Sequence, residues 1–144
     1  MPMNDEPTLI LLDTHIWLWL ASGVSKAVSP PLRALIEKRV PESAVKISSI
    51  SVWEIGNLVF KNRISFTIDV KEWVYRAIRE TGVGVESIDA EIAIESSSLP
   101  KTFHGDPADR IVLATARKIG ATLITRDKEI ISYCKKQGLP ALSL

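Results

Sequence analysis

At 144 residues and a net charge of +1, the chain has the length of one domain with room for a sizeable core, spanning 1–144. Near-balanced charge supplies no bulk pull on nucleic acid, so a polyanionic partner would have to be met at a local patch. One cysteine, Cys134, excludes an intrachain disulfide and a thiolate metal cluster; no apolar run spans a bilayer, and the polar, acidic start at 1–7 lacks the pattern of a secretory signal, so a cytoplasmic protein with no membrane partner is expected.

Short apolar runs alternate with longer amphipathic stretches. Residues 8–12 (TLILL) read as a buried strand and 14–21 as a helix. Ser29 is placed to cap a helix opened by Pro30 and Pro31 and running through Arg39. A second strand is expected at 45–48, helices at 49–61 and 69–81, a weak strand at 83–87 and a helix at 89–97. After a loop with Pro100, Gly105 and Pro107 comes a helix over 107–119 closed by Gly120. A strand at 121–124, a helix at 128–136 and a short last strand at 139–144 complete the chain. Strands separated by helices pair in parallel through right-handed crossovers, which predicts an α/β protein: a three-layer α/β/α sandwich on a mostly parallel sheet.

Four carboxylates then stand out: Asp13, Glu54, Asp109 and Asp127, each close to an apolar run. A carboxylate in such surroundings must be paired, hydrogen-bonded or bound to a cation. Ligands of open parallel sheets bind outside the carboxyl ends of the strands. Asp13 and Asp127 follow strands, Asp109 opens a helix that leads back into one, and Glu54 lies about one turn into the helix after 45–48. Connectivity thus sends all four to one edge, without fixing how near they come. Four acids there would suit magnesium or manganese.

Each acid also has a simpler reading. Asp13 and Asp127 are placed to cap the helices that follow, and Asp106 before Pro107 is a near-ideal N-cap with Asp109 completing a capping box. Glu54 is the hardest to explain as scaffold, because Ile50 and Leu58 share its helical face. Arg110 and Arg126 sit beside site acids and read equally as counter-charges, phosphate guides or solvated cations. His15 and His104 are candidates for phosphate contact or packing. Trp17, Trp19, Trp53 and Trp73 read as core or interface residues, with base stacking open to any that is exposed.

These residues together resemble a known family. LLDTHIWLW at 11–19, ISSISVWEIGNL at 47–58, HGDPADRIVLATA at 104–116 and TLITRDKEI at 122–130 look like the four acidic motifs of the PIN-domain ribonucleases, and within them of VapC-type toxins of VapBC toxin–antitoxin pairs. The resemblance implies a magnesium- or manganese-dependent endoribonuclease with Asp13, Glu54, Asp109 and Asp127 as catalytic and metal-binding residues. Asp106, Thr14, Thr125, His104 and Arg110 take supporting positions. It also implies RNA as substrate, a VapB-like antitoxin as partner and a homodimer. The segments at 21–44 and 64–97 match no motif.

Phosphodiester hydrolysis needs an activated water and a neutralised leaving oxygen, which cations supply. Closely spaced carboxylates repel, so without a cation one or more should hold a proton. Two other readings stay open: a non-catalytic interaction module with an acidic cleft, and a different metal-dependent phosphohydrolase. A dehalogenase-like phosphatase would want a second acid where His15 stands. A dinucleotide-binding fold lacks its glycine-rich turn, and a serine hydrolase lacks its nucleophile elbow.

Overall fold

The computed structural model describes residues 6–24, 27–100, 103 and 105–143. Among these, five strands form one sheet: β1 (Ile10–Leu12), β2 (Val45–Ser48), β3 (Gly84–Glu86), β4 (Thr122–Thr125) and β5 (Ala141–Ser143). Their order is β3-β2-β1-β4-β5, and every neighbouring pair is parallel. The strand β1 is therefore central, and all three of its residues are buried. The chain winds outward from β1 through β2 to β3, then crosses back to β4 and β5. The strand order reverses between β1 and β4, which opens a crevice at their carboxyl ends.

Seven helices of the described residues accompany the strands: α1 (Thr14–Ala21), α2 (Pro30–Arg39), α3 (Ser49–Phe60), α4 (Val70–Thr81), α5 (Ala90–Ser98), α6 (Pro107–Ile119) and α7 (Lys128–Gln137). Successive side chains of a strand point to opposite faces, and β1 divides the core accordingly. Ile10 and Leu12 join Ile16 and Trp17 of α1, Leu32 and Ile36 of α2, and Val74 and Ala77 of α4. Leu11 joins Val112 and Leu113 of α6, Ile130 and Cys134 of α7, and Phe103. The result is the expected three-layer arrangement.

The element boundaries shift slightly from those read in the sequence. Pairing on β1 starts at Ile10 instead of residue 8, because β2 offers its first partner at Val45. The strand β4 extends to Thr125, which pairs with Ser143 of β5. Asp69 and Asp89 lie just outside their helices as caps, each accepting a backbone N–H with its side chain. A 3-10 turn at Val40–Glu42, absent from the expected elements, links α2 toward β2. It leaves Val40 under Gly82, whose φ of 72° and close approach (an added Cβ would lie 2.5 Å from Val40 Cγ1) both require glycine.

Trp17 is fully buried; it donates from Nε1 to Thr81 Oγ1 at 3.1 Å and packs edge-on against Trp73. That contact fixes α1 against α4. The position of α1, which begins one residue after Asp13, is thus tied to α4 at its middle.

Candidate active site

Asp13 follows β1 and caps α1. Its backbone N–H donates to Ile124 O at 2.9 Å, so the β1–β4 ladder fixes its main chain. Its Oδ1 accepts from Thr14 N at 2.8 Å and its Oδ2 from the Thr125 hydroxyl at 2.6 Å. Thr125 is fully buried, and its oxygen also accepts from Asp127 N at 3.0 Å. One hydroxyl thereby joins two of the acids across adjacent strands. Asp127 caps α7 through Glu129 N at 2.8 Å and is exposed at the rim.

Glu54 lies on α3 and meets the same edge through Thr14, whose hydroxyl is 2.5 Å from Glu54 Oε1. Thr14 Oγ1 is also 2.8 Å from Ser51 Oγ. A hydroxyl carries one proton. With Glu54 ionised, Thr14 donates to it and Ser51 must donate to Thr14. Thr14 and Ser51 are both buried, so the relay lies in the core with its polar atoms satisfied. Sequence reasoning does not single out Ser51 as a site residue. Its place three residues before a carboxylate on an apolar face is the signal that identifies it.

Asp106 and Asp109 form a reciprocal capping box on α6. Asp109 N donates to Asp106 Oδ1 at 2.8 Å, and Asp106 N donates to Asp109 Oδ2 at 3.3 Å. Gly105 packs so closely that an added Cβ would lie 2.9 Å from Asp109 Cβ. Arg110 is used differently from a counter-charge to the acids. Its guanidinium donates to the carbonyls of Ser96, Phe103 and Leu99 at 3.0, 3.2 and 2.6 Å, which ties the end of α5 and the following loop to α6. Its bonds go to backbone carbonyls on the segment that precedes Asp106, not to an acid. His104 lies outside the described residues.

Asp13, Glu54, Asp106, Asp109 and Asp127 line one open cleft of about 450 Å³. His15, Trp19 and Arg126 form the rest of its lining. His15 stands in tilted contact with Trp19 at 5.9 Å between ring centroids, and the Arg126 guanidinium lies over the Trp19 ring at 5.2 Å.

The acids feel one another. Burial, then the charges of Asp106 and Asp13, pushes the Asp109 carboxyl up to about 7. Burial also raises Glu54; the Thr14 hydrogen bond opposes that rise, and the charges of Asp13 and Asp106 add to it. Mutual repulsion of this kind is what a bound cation would relieve. Its donors are all hard oxygens, which fit magnesium or manganese better than a softer ion. Among the described residues, however, no three of these groups are drawn together into a finished ligand cluster. The acids share a cleft, and each has its own hydroxyl or backbone partner.

Comparison with known proteins bears on the family and the fold. Residues 10–136 match the PIN domain family. A curated relative, Ribonuclease VapC22 of Mycobacterium tuberculosis, is 31% identical over 126 residues, covering 88% of this chain and 92% of its own. Two solved structures share the fold. VapBC2 of Rickettsia felis, bound to a DNA fragment, superposes with a TM-score of 0.67 at 15% identity, covering 94% of this chain and 98% of its own. DNA-bound VapBC of Salmonella typhimurium gives 0.67 at 16% identity, covering 94% and 97%. A domain match over most of the length, a relative of this identity and the shared sheet lead to one assignment: the chain belongs to the PIN-domain family.

Proposed function

We propose that this protein is a metal-dependent endoribonuclease of the VapC toxin type, with Asp13, Glu54, Asp109 and Asp127 as its catalytic and metal-binding acids. The observation that carries this reading is their meeting in one cleft at the β1–β4 switch point, where Thr14 and Thr125 hold two of them in fixed orientation. The relationship to a ribonuclease of VapC type adds the substrate class. Among the described residues no helix is long and apolar enough to cross a membrane.

Hydrolysis adds water across a P–O bond: the water oxygen bonds to phosphorus, and the departing sugar oxygen takes up a proton. When bound among these acids, magnesium or manganese supplies the positive charge that neutralises the phosphate and favours deprotonation of water. The chain's own residues prepare the site. Thr125 and Thr14 N occupy one lone pair on each oxygen of Asp13 and leave the others open. The Ser51–Thr14 pair orients Glu54. Asp109, its carboxyl pushed up to about 7, shares a proton near neutral pH when no cation is present and would release it as the charge around it is balanced.

The structural neighbours include VapBC complexes and one named as a toxin–antitoxin complex, and we assign this chain the same kind of partner, a VapB-like antitoxin. A basic antitoxin segment has charge complementarity with the five-carboxylate cleft.

The test is direct. Purified protein free of antitoxin is incubated with a structured RNA pool in magnesium, in manganese and in EDTA, beside an Asp13→Asn, Asp109→Asn double variant. Cleavage that needs the cation and vanishes in the variant is expected. Cation-independent cleavage, or equal cleavage by the variant, would overturn the assignment.

A further inference from the structure

The cleft contains five carboxylates and a single permanent cation among its described lining residues, Arg126. A phosphodiester strand entering such a cleft meets strong repulsion unless positive charge awaits it. Arg126 is the next residue to Asp127 in the chain, yet it makes no ion pair with any described residue. Its contact is instead the Trp19 ring, at 5.2 Å. Trp19 is half-buried and packs against the core, and His15 leans on it from the cleft side of α1. The guanidinium therefore rests on an aromatic surface belonging to another element, and that contact spends none of its N–H donors on an acid.

We propose that Arg126 is the phosphate anchor of the substrate strand, with Trp19 as the residue that positions it. The proposal rests on the nuclease reading for its substrate, RNA. A guanidinium offers two parallel donors to a phosphate, a fit that lysine's point charge does not reproduce. An exposed arginine loses rotamer freedom when it binds. Stacking on Trp19 restricts that freedom beforehand, and it holds the cation at the cleft wall instead of letting it collapse onto Asp127. The two residues come from α1 and from the turn after β4, so the β1–β4 crevice brings the anchor to the acids.

The experiment measures RNA binding separately from cleavage. Anisotropy of a short fluorescein-labelled single-stranded RNA is followed in magnesium across a salt series, all proteins carrying Glu54→Gln so that the RNA survives. Arg126→Gln is expected to weaken binding roughly tenfold and to reduce the salt slope by about 0.7, the loss of one phosphate contact on a single strand. Arg126→Lys should restore the slope but recover only part of the affinity. Trp19→Leu should weaken binding several-fold alone and add little once Arg126 is Gln, whereas Trp19→Phe keeps a ring and should stay near wild type. Lys136→Gln, at the far end of α7, is the control for removing any positive charge.

Each outcome decides something. If Arg126→Gln matches the Lys136→Gln control, the anchor is refuted and the nuclease reading stands on its own cleavage assay. Additive effects of Trp19→Leu and Arg126→Gln would remove Trp19 from the positioning role. If the otherwise unmodified protein binds RNA through Arg126 but cuts none, the nuclease reading fails and the anchor survives. Absence of any RNA binding would overturn both.

Discussion

Thr125 donates its hydroxyl proton to Asp13 Oδ2 at 2.6 Å, a side-chain bond between the ends of β4 and β1 that the backbone ladder does not supply. The same oxygen receives the Asp127 N–H. Replacing Thr125 with Val keeps the shape and removes both functions. Asp13 Oδ2 and Asp127 N then lose a partner in or beside the core, a change worth about 1–3 kcal/mol of stability. Partners that orient metal-binding carboxylates are worth about 10–100-fold in metal affinity or activity, and a loss in that range is expected for Thr125→Val. Thr125→Ser should recover most of the activity, because it restores the donor. Manganese titration of the two variants, with urea unfolding of each, separates the site effect from the stability effect.

Asp109 makes the metal-free protein sensitive to pH in a defined direction. Its folded carboxyl titrates near 7 against an ordinary value of 3.8, with burial as the main cause. The folded state thus holds the proton more tightly than the unfolded chain. The stabilisation from this proton is complete below 3.8 and is lost as pH rises through about 7. At the acid end a different group takes over. Asp89 is held below its ordinary value by the backbone N–H of Ile92 and by Lys118, and its contribution is lost as pH falls through its lowered folded value. In EDTA, the melting temperature should therefore fall between pH 6 and pH 8, and Asp109→Asn should flatten that fall. An unchanged pH profile in the variant would contradict the assignment.

The same proton reports on cation binding. With its carboxyl pushed up to about 7, Asp109 is partly protonated near neutral pH, so magnesium binding should release part of a proton from this group, more at pH 6 than at pH 8. Calorimetry of magnesium binding in buffers of different ionisation enthalpy measures the number directly.

Asp106 offers a way to separate capping from charge. Its side chain accepts Asp109 N, and its charge is a principal reason, after burial, that Asp109 titrates high. Asparagine caps helices as well as aspartate does. Asp106→Asn should therefore leave α6 intact while the Asp109 value drops below about 7. Carboxyl carbon NMR titration of Asp109 checks this, with circular dichroism to confirm the helix.

Much of this site is legible in the order of the residues alone. Asp13 and Asp127 follow strands, and alternation of strands with helices sends both to the carboxyl edge. The capping box at Asp106 and Asp109 is a local pattern, so it survives folding unchanged. What escapes such reading is non-local. The order β3-β2-β1-β4-β5 depends on which strands meet in space, and that order brings Thr125 beside Asp13. The Trp19–Arg126 contact depends on it for the same reason. Adjacency along the chain suggests Arg110 as a partner for neighbouring acids. On the helix its side chain leaves the cleft and finds three carbonyls instead. A largely apolar run suggests a strand from residue 8. Pairing, not polarity, decides where a strand begins.

Gly105 should be among the least replaceable small residues of the site, for reasons of space. An added Cβ would lie 2.5 and 2.6 Å from the Phe103 ring atoms Cε1 and Cζ and 2.9 Å from Asp109 Cβ. Asp109 Cβ belongs to the first turn of α6 and cannot retreat without disturbing the capping box. Phe103 is buried against Tyr133 with ring centroids 5.0 Å apart, so it too has little room. Gly105→Ala must then push the loop off α6. The expected loss is about 1–3 kcal/mol in stability, typical of overpacking. A displacement on the order of 1 Å at Asp109 would lower cleavage up to ~100-fold. Gly56→Ala is the contrasting case. Gly56 lies within α3 with no atom within 4 Å of an added Cβ. There the helix gains propensity, roughly 0.5–1 kcal/mol, with cleavage unchanged. Chemical unfolding and cleavage rates of the two variants side by side decide the matter, and equal tolerance at the two glycines would refute the packing of the loop against Asp109.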